Sequence, residues 1–189
     1  MFKLIIFDFD FTIAKTVEHI LVVSPRGTYI YDNKQYRRIH PTMFQQQGMY
    51  DDETLDNNSY IEFYRLNIQK TKIITPVIEY LKFYSKQTIV NILTARPQDV
   101  ENNIMLFLKA NNVDTKNIKY KGLCHSSSSK KVEWIKKTLI EKNYSEIILF
   151  EDNKKVIDSM IKENSITTKK SIYYIQNYPD KTLITFYDR

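Results

Sequence analysis

Three short apolar runs in this chain each close on polar or acidic residues, and that repeated pattern narrows the folds open to it: KLIIFDFD from Lys3, TIVNILTAR from Thr88 and EIILFEDN from Glu146. Runs of Ile, Val, Leu and Phe with little alternation suit strands covered on both faces, as in a parallel sheet, whereas a half-solvated strand would alternate. Helical spacing marks the segments between them. TPVIEYLKFYSK offers Thr75 as an N-cap, Pro76 at the first helical position, and Val77, Ile78, Leu81 and Tyr84 at helical intervals. PQDVENNIMLFLKANN from Pro97, KKVEWIKKTLIEK from Lys130 and NKKVIDSMIKE after Asp152 repeat that periodicity, and SIYYIQ from Ser171 reads as a further strand. Strand and helix alternating in this order predict an α/β fold with a Rossmann-like parallel sheet, right-handed crossovers and helices on both faces. Ligands of such sheets sit beyond the carboxyl ends of the strands, the edge where Asp8, Thr94 and Asp152 fall.

The rhythm breaks from about Val17 to Lys72, where ILVVSPRGTYIYD resembles a hairpin around Pro25, Arg26 and Gly27 and a polar YDDETLDNNS loop follows. The expectation is a single domain over residues 1–189 with a small insertion or cap at about 17–72 after the first strand. A length of 189 residues at 42% hydrophobic content supports one core and leaves no room for two full-size domains. The patch HSSSSKK reads as a loop with an N-cap at its end. One cysteine, Cys124, excludes an internal disulfide framework and a multi-cysteine zinc site, and fits a reducing compartment. No apolar segment approaches the roughly 20 residues of a membrane span. The apolar N-terminal run is cut by Asp8 and Asp10 before it could serve as a secretory signal, so a soluble, cytoplasmic protein is expected. The formal net charge of +6 makes the surface mildly attractive to phosphates or nucleic acid.

Asp8 and Asp10 pose the chemical question. Strand alternation points both to the same side, where their charges repel and burial would push at least one toward its neutral form. A metal ion or a phosphoryl ligand would offset that repulsion.

Asp8-Phe9-Asp10-Phe11-Thr12, then Thr94 ending an apolar strand, then Lys131 at a helix start, then Glu151-Asp152 closing another apolar strand resemble the four motifs of haloacid dehalogenase (HAD) superfamily phosphatases. LTARP and the KVEWI and YSEIILFEDN segments look particularly like small HAD phosphatases of bacteriophage type and, more distantly, the phosphatase part of polynucleotide kinases. The resemblance implies Asp8 as the nucleophile that forms an aspartyl-phosphate, and Asp10 as the acid that protonates the leaving oxygen and the base that then activates water. It implies Mg2+ on Asp8, the Asp10 carbonyl and Asp152 with Glu151 nearby, since magnesium takes oxygen ligands and keeps several waters. Thr94 would hydrogen-bond a phosphoryl oxygen and Lys131 would steady the nucleophile and the transferring group. Lys130 competes with Lys131, which the KVEWI register favours. Arg96 would meet a second phosphate or the substrate backbone, or equally form a surface ion pair. The family often carries Gly where this chain has Phe11, a costly residue if that position needs positive φ.

Plainer readings exist for each residue alone. Glu151-Asp152 could be helix N-caps, Thr94 a turn residue and Lys131 a solvated charge. His19, His40 and His125 lack metal-ligand spacing, and Tyr60, Phe63, Tyr64 and Trp134 read as core. In order at strand ends, the four motifs point to a magnesium-dependent phosphatase of phosphomonoesters, with a nucleic-acid end such as a 3′-phosphate as one substrate class. The alternatives are a nucleotide or sugar phosphate substrate, and a catalytically silent HAD domain used for binding.

Overall fold

A computed structural model of the chain describes residues 2–16, 19–24, 27–32, 71–123 and 128–189. The chain divides into two compact units, Met1–Lys15 with Lys72–Arg189, and Thr16–Thr71. In the first unit, strands β1 (Phe2–Phe7), β6 (Val90–Thr94), β7 (Ile118–Gly122), β8 (Tyr144–Glu151), β9 (Lys169–Asn177) and β10 (Thr182–Asp188) form one sheet in the order β10-β9-β8-β1-β6-β7. All neighbours run parallel except β10, which pairs antiparallel with β9. Helices α1 (Thr75–Ser85), α2 (Glu101–Ala110), α3 (Ser128–Glu141) and α4 (Lys154–Lys162) connect them, so the protein is α/β with a mostly parallel central sheet. The chain leaves β1 toward β6 and β7 and later returns to β8 on the other side of β1. Strand order therefore reverses between β1 and β8, the place where such sheets leave a crevice.

The apolar runs do not alternate because both faces are covered. Leu4 and Ile6 of β1 share one cluster with Ile147 and Leu149 of β8, Val132 and Ile135 of α3, and Val156, Ile157 and Met160 of α4. On the opposite face Phe7 stacks on Phe150 at 4.2 Å between ring centres, Phe150 on Tyr173 at 4.4 Å, and Tyr173 meets Phe186 at 4.9 Å. Tyr80 and Tyr84 of α1 close over Phe150. Each fully buried side chain of this kind contributes about 1.5–3 kcal/mol, and Leu4 through Phe7 are all buried. Half-buried Trp134 packs against the first cluster.

Helix α1 starts one residue earlier than its sequence suggests. Ile74, not Thr75, is the N-cap and makes no side-chain cap bond, which places Pro76 second in the helix. Strands β2 (Ala14–Lys15) and β5 (Lys72–Ile73) pair antiparallel, and the Ile74 N–H donates to the Ile13 carbonyl at 2.8 Å. That ladder holds Ile74 extended until the helix begins. Helix α2 ends on Asn112 at φ 60, with the Val113 and Asn112 amides returning to the Leu108 and Lys109 carbonyls.

In the second unit β3 (His19–Ser24) and β4 (Gly27–Asp32) form an antiparallel pair with His19 opposite Asp32, which places a hairpin where one was expected. Its turn residues Pro25 and Arg26, the YDDETLDNNS loop, His40, Tyr60, Phe63 and Tyr64 lie outside the described residues, as do Cys124, His125 and the start of the serine run. No helix among the described residues is long and apolar enough to cross a membrane.

Candidate active site

Beyond β1 the chain folds into a tight turn in which the amides of Ile13 and Ala14 both reach the Phe9 carbonyl, at 2.9 and 3.1 Å. The turn requires a left-handed residue, and Phe11 supplies it at φ 58. A side chain in that conformation costs about 1–2 kcal/mol. The turn holds nonetheless, because the Phe11 amide donates to the Ala14 carbonyl at 2.7 Å and the Asn177 side chain donates to the Phe11 carbonyl. Phenylalanine thus adopts a backbone shape more usual for Gly.

The turn projects Asp8 toward the carboxyl end of β8, fixed by its amide on the Phe150 carbonyl at 2.9 Å. Lys131 reaches the same point from α3, with its Nζ 2.9 Å from Asp8 Oδ1 and 2.8 Å from Glu151 Oε2. Helix phase decides between the two lysines: Lys131 shares the buried face of Ile135, one turn on, whereas Lys130 is exposed. Burial opposes the charge on Lys131, but Asp8 and Glu151 outweigh it and hold the amine protonated above its usual range. Glu151 also accepts from the Asn153 amide at 3.0 Å. Burial, then Asp8, pushes its carboxyl up to about 7 against the pull of Lys131. Asp152 is held well above the carboxylate range by burial, then by Asp8 and Glu151. The Thr12 hydroxyl donates to Asp152 Oδ1 at 3.4 Å. Neither acid is an N-cap. Asn153 takes that role for α4, accepting from the Lys155 amide at 3.0 Å.

Thr94 ends β6 fully buried, its hydroxyl accepting from the Arg96 amide at 3.2 Å. That bond leaves the hydroxyl proton for donation. Arg96, expected at substrate or in a surface ion pair, instead forks across Asp10, Nε to Oδ2 at 2.9 Å and Nη2 to Oδ1 at 2.7 Å. The pair is not on the surface. The Arg96 side chain is 3% exposed against 24% for Asp10, and the guanidinium carbon lies 5.6 Å from the centre of the Phe9 ring.

One oxygen each from Asp8, Glu151 and Asp152 lies within 4.8 Å of the others. Three crowded carboxylates, two of them pushed toward neutrality, form an all-oxygen donor set of the kind that hard divalent cations take. Both Glu151 oxygens already have donors, so Asp8 and Asp152 are the better placed to bind one.

Sequence reasoning missed the contacts that Thr12, Asn153 and Gly122 make around these side chains. Gly122, one of 3 glycines in the chain, carried a signal in that scarcity. A Cβ there would come within 2.6 Å of the Arg96 carbonyl oxygen and of the Pro97 carbonyl carbon. Comparisons with protein-family models, with curated proteins and with solved structures returned no match.

Proposed function

We propose that this protein is a magnesium-dependent phosphatase of the HAD type, with the corresponding Rossmann-like fold, hydrolysing phosphomonoesters through an aspartyl-phosphate. The supporting observation is convergence: Asp8, Lys131, Glu151 and Asp152 meet at the carboxyl ends of β1 and β8, in the crevice where strand order reverses. Asp8 attacks phosphorus in line, the ester bond breaks, and the leaving oxygen takes a proton from Asp10. Water then attacks the aspartyl-phosphate, gives its proton to Asp10 and returns Asp8 as a carboxylate. Lys131 holds Asp8 Oδ1 and balances charge on the transferring group, while Thr94 offers its hydroxyl to a phosphoryl oxygen. Asp8, the Asp10 carbonyl and Asp152, with Glu151 nearby, would hold magnesium, which would neutralise charge on the phosphoryl group.

The net charge of +6 favours a polyanionic substrate, and a nucleic-acid end bearing a phosphate is the class proposed. A phosphate-release screen of 3′- and 5′-phosphorylated oligonucleotides, nucleoside monophosphates and sugar phosphates, with and without magnesium, tests this. Release confined to the small substrates would refute the nucleic-acid assignment. Equal rates of p-nitrophenyl phosphate cleavage by the parent and Asp8→Asn would refute the nucleophile and leave a silent binding domain.

A further inference from the structure

Asp10 has to serve as an acid and a base from a defined position, yet it sits in a turn with a quarter of its side chain exposed. The neighbouring strand β7 supplies what fixes it. Alternation in IKYKG turns Ile118 and Tyr120 inward and Lys119 and Lys121 outward. The Tyr120 hydroxyl donates to the Pro97 carbonyl at 2.8 Å, and burial, partly countered by Arg96, keeps that hydroxyl protonated. Two residues on, the Gly122 amide donates to Gln98 Oε1 at 3.0 Å. The backbone from Arg96 to Gln98 lies so close to Gly122 that an added Cβ would stand 2.6–2.7 Å from three of its atoms. Those are backbone atoms, which cannot rotate aside as a side-chain tip would. The turn carrying Arg96 is therefore clamped at Pro97 and Gln98, and the fork of Arg96 transmits the clamp to both Asp10 oxygens.

We infer that Tyr120 and Gly122 are positioning residues for the proton-accepting step, setting the Asp10 carboxylate through Arg96. A guanidinium is a donor only, so it holds both oxygens of the ionised Asp10 as acceptors, the form Asp10 takes once its proton has gone to the leaving oxygen and the form the second half of the reaction requires. In that half a water oxygen bonds to phosphorus, the bond from phosphorus to the Asp8 oxygen breaks, its electron pair returns to Asp8, and the water proton passes to Asp10. The inference rests on the phosphatase reading for its chemistry and on geometry alone for the clamp.

The experiment compares the full-length parent with Gly122→Ala and with Tyr120→Phe, the gentler change if the first variant fails to fold. p-Nitrophenyl phosphate is the probe, since its leaving group needs little protonation and formation of the aspartyl-phosphate stays fast. Displacing a catalytic group by about 1 Å lowers rates by roughly 100-fold. Gly122→Ala should thus release about one equivalent of nitrophenol in a burst and then turn over on the order of 100-fold more slowly than the parent. The phosphorylated enzyme should accumulate, as read by intact-protein mass spectrometry after acid quench. Tyr120→Phe should show the same pattern with a smaller drop. Slow turnover with no burst and no phosphoenzyme overturns the inference, as does an unchanged rate. The Arg96 Nε–H resonance, followed by NMR, reads the clamp without activity: it should move in both variants, and an unmoved signal overturns the clamp. A parent that cleaves nothing refutes the phosphatase reading and the proton-accepting role together, while the resonance still decides whether β7 sets Arg96.

Discussion

Replacing Lys131 with methionine keeps an unbranched aliphatic side chain and removes the ammonium that sits 2.9 Å from Asp8 and 2.8 Å from Glu151. Those three side chains are at most 8% exposed, so water cannot take over the lost contacts. Removing one partner of a buried ion pair costs about 3–5 kcal/mol. With a urea dependence of about 2 kcal/mol per molar, that loss lowers the unfolding midpoint by about 1.5–2.5 M. Trp134 is the sole tryptophan, lies on α3 with Lys131 and packs against the core, so its fluorescence follows this unit directly. The loss also has a definite pH dependence. Glu151 is raised from 4.5 to about 7 even with Lys131 in place, and without it the carboxyl rises further. The folded variant then binds more protons than the unfolded chain above about pH 4.5, so its stability falls as pH rises. The deficit relative to the parent should accordingly be larger at about pH 8 than at about pH 5, and magnesium should recover part of it. A midpoint shift under about 0.5 M at the higher pH, or a deficit that shrinks as pH rises, would refute the account of the site as carboxylates held together by one buried cation.

Asn112 ends α2 at φ 60, a left-handed position that Asn tolerates, so Asn112→Ala should lower stability by about 1 kcal/mol, seen as a melting temperature lower by about 2–4 °C, and an unchanged or higher temperature would sink the argument. Lys136 first, then Ser165, depresses the half-buried Glu163 carboxyl from 4.5 to about 2, so its stabilising effect is present above about pH 4.5 and lost as pH falls through 2. Glu163→Gln should therefore flatten the acid limb of a stability profile, and an unchanged limb would exclude that contribution.

Much of this architecture was legible because β1, β6 and β8 are buried on two sides and so read as unbroken apolar runs. β7 and β10 were not. IKYKG alternates with lysine, and TLITFYD interleaves threonine at an antiparallel edge, so neither shows the signature of a central strand. The acids and Lys131 were named through their resemblance to the HAD motifs, with Lys131 preferred on the KVEWI register, and the phase of α3, which buries Lys131 with Ile135, would have separated it from Lys130 unaided. The fork of Arg96 on Asp10 joins positions 86 residues apart, and no local pattern encodes such a meeting. The cost of a non-glycine turn residue was foreseeable. That Phe11 would accept it depended on Asn177, far along the chain at the end of β9.

The short ladder of β2 with β5 sets Ala14 directly opposite Ile73, so the polypeptide leaves the first unit and re-enters it at adjacent points. Lengthening a connection whose ends are already together costs only about 0.6 kcal/mol per doubling. Residues can therefore be added to or removed from that connection at little cost to the strands and helices it interrupts.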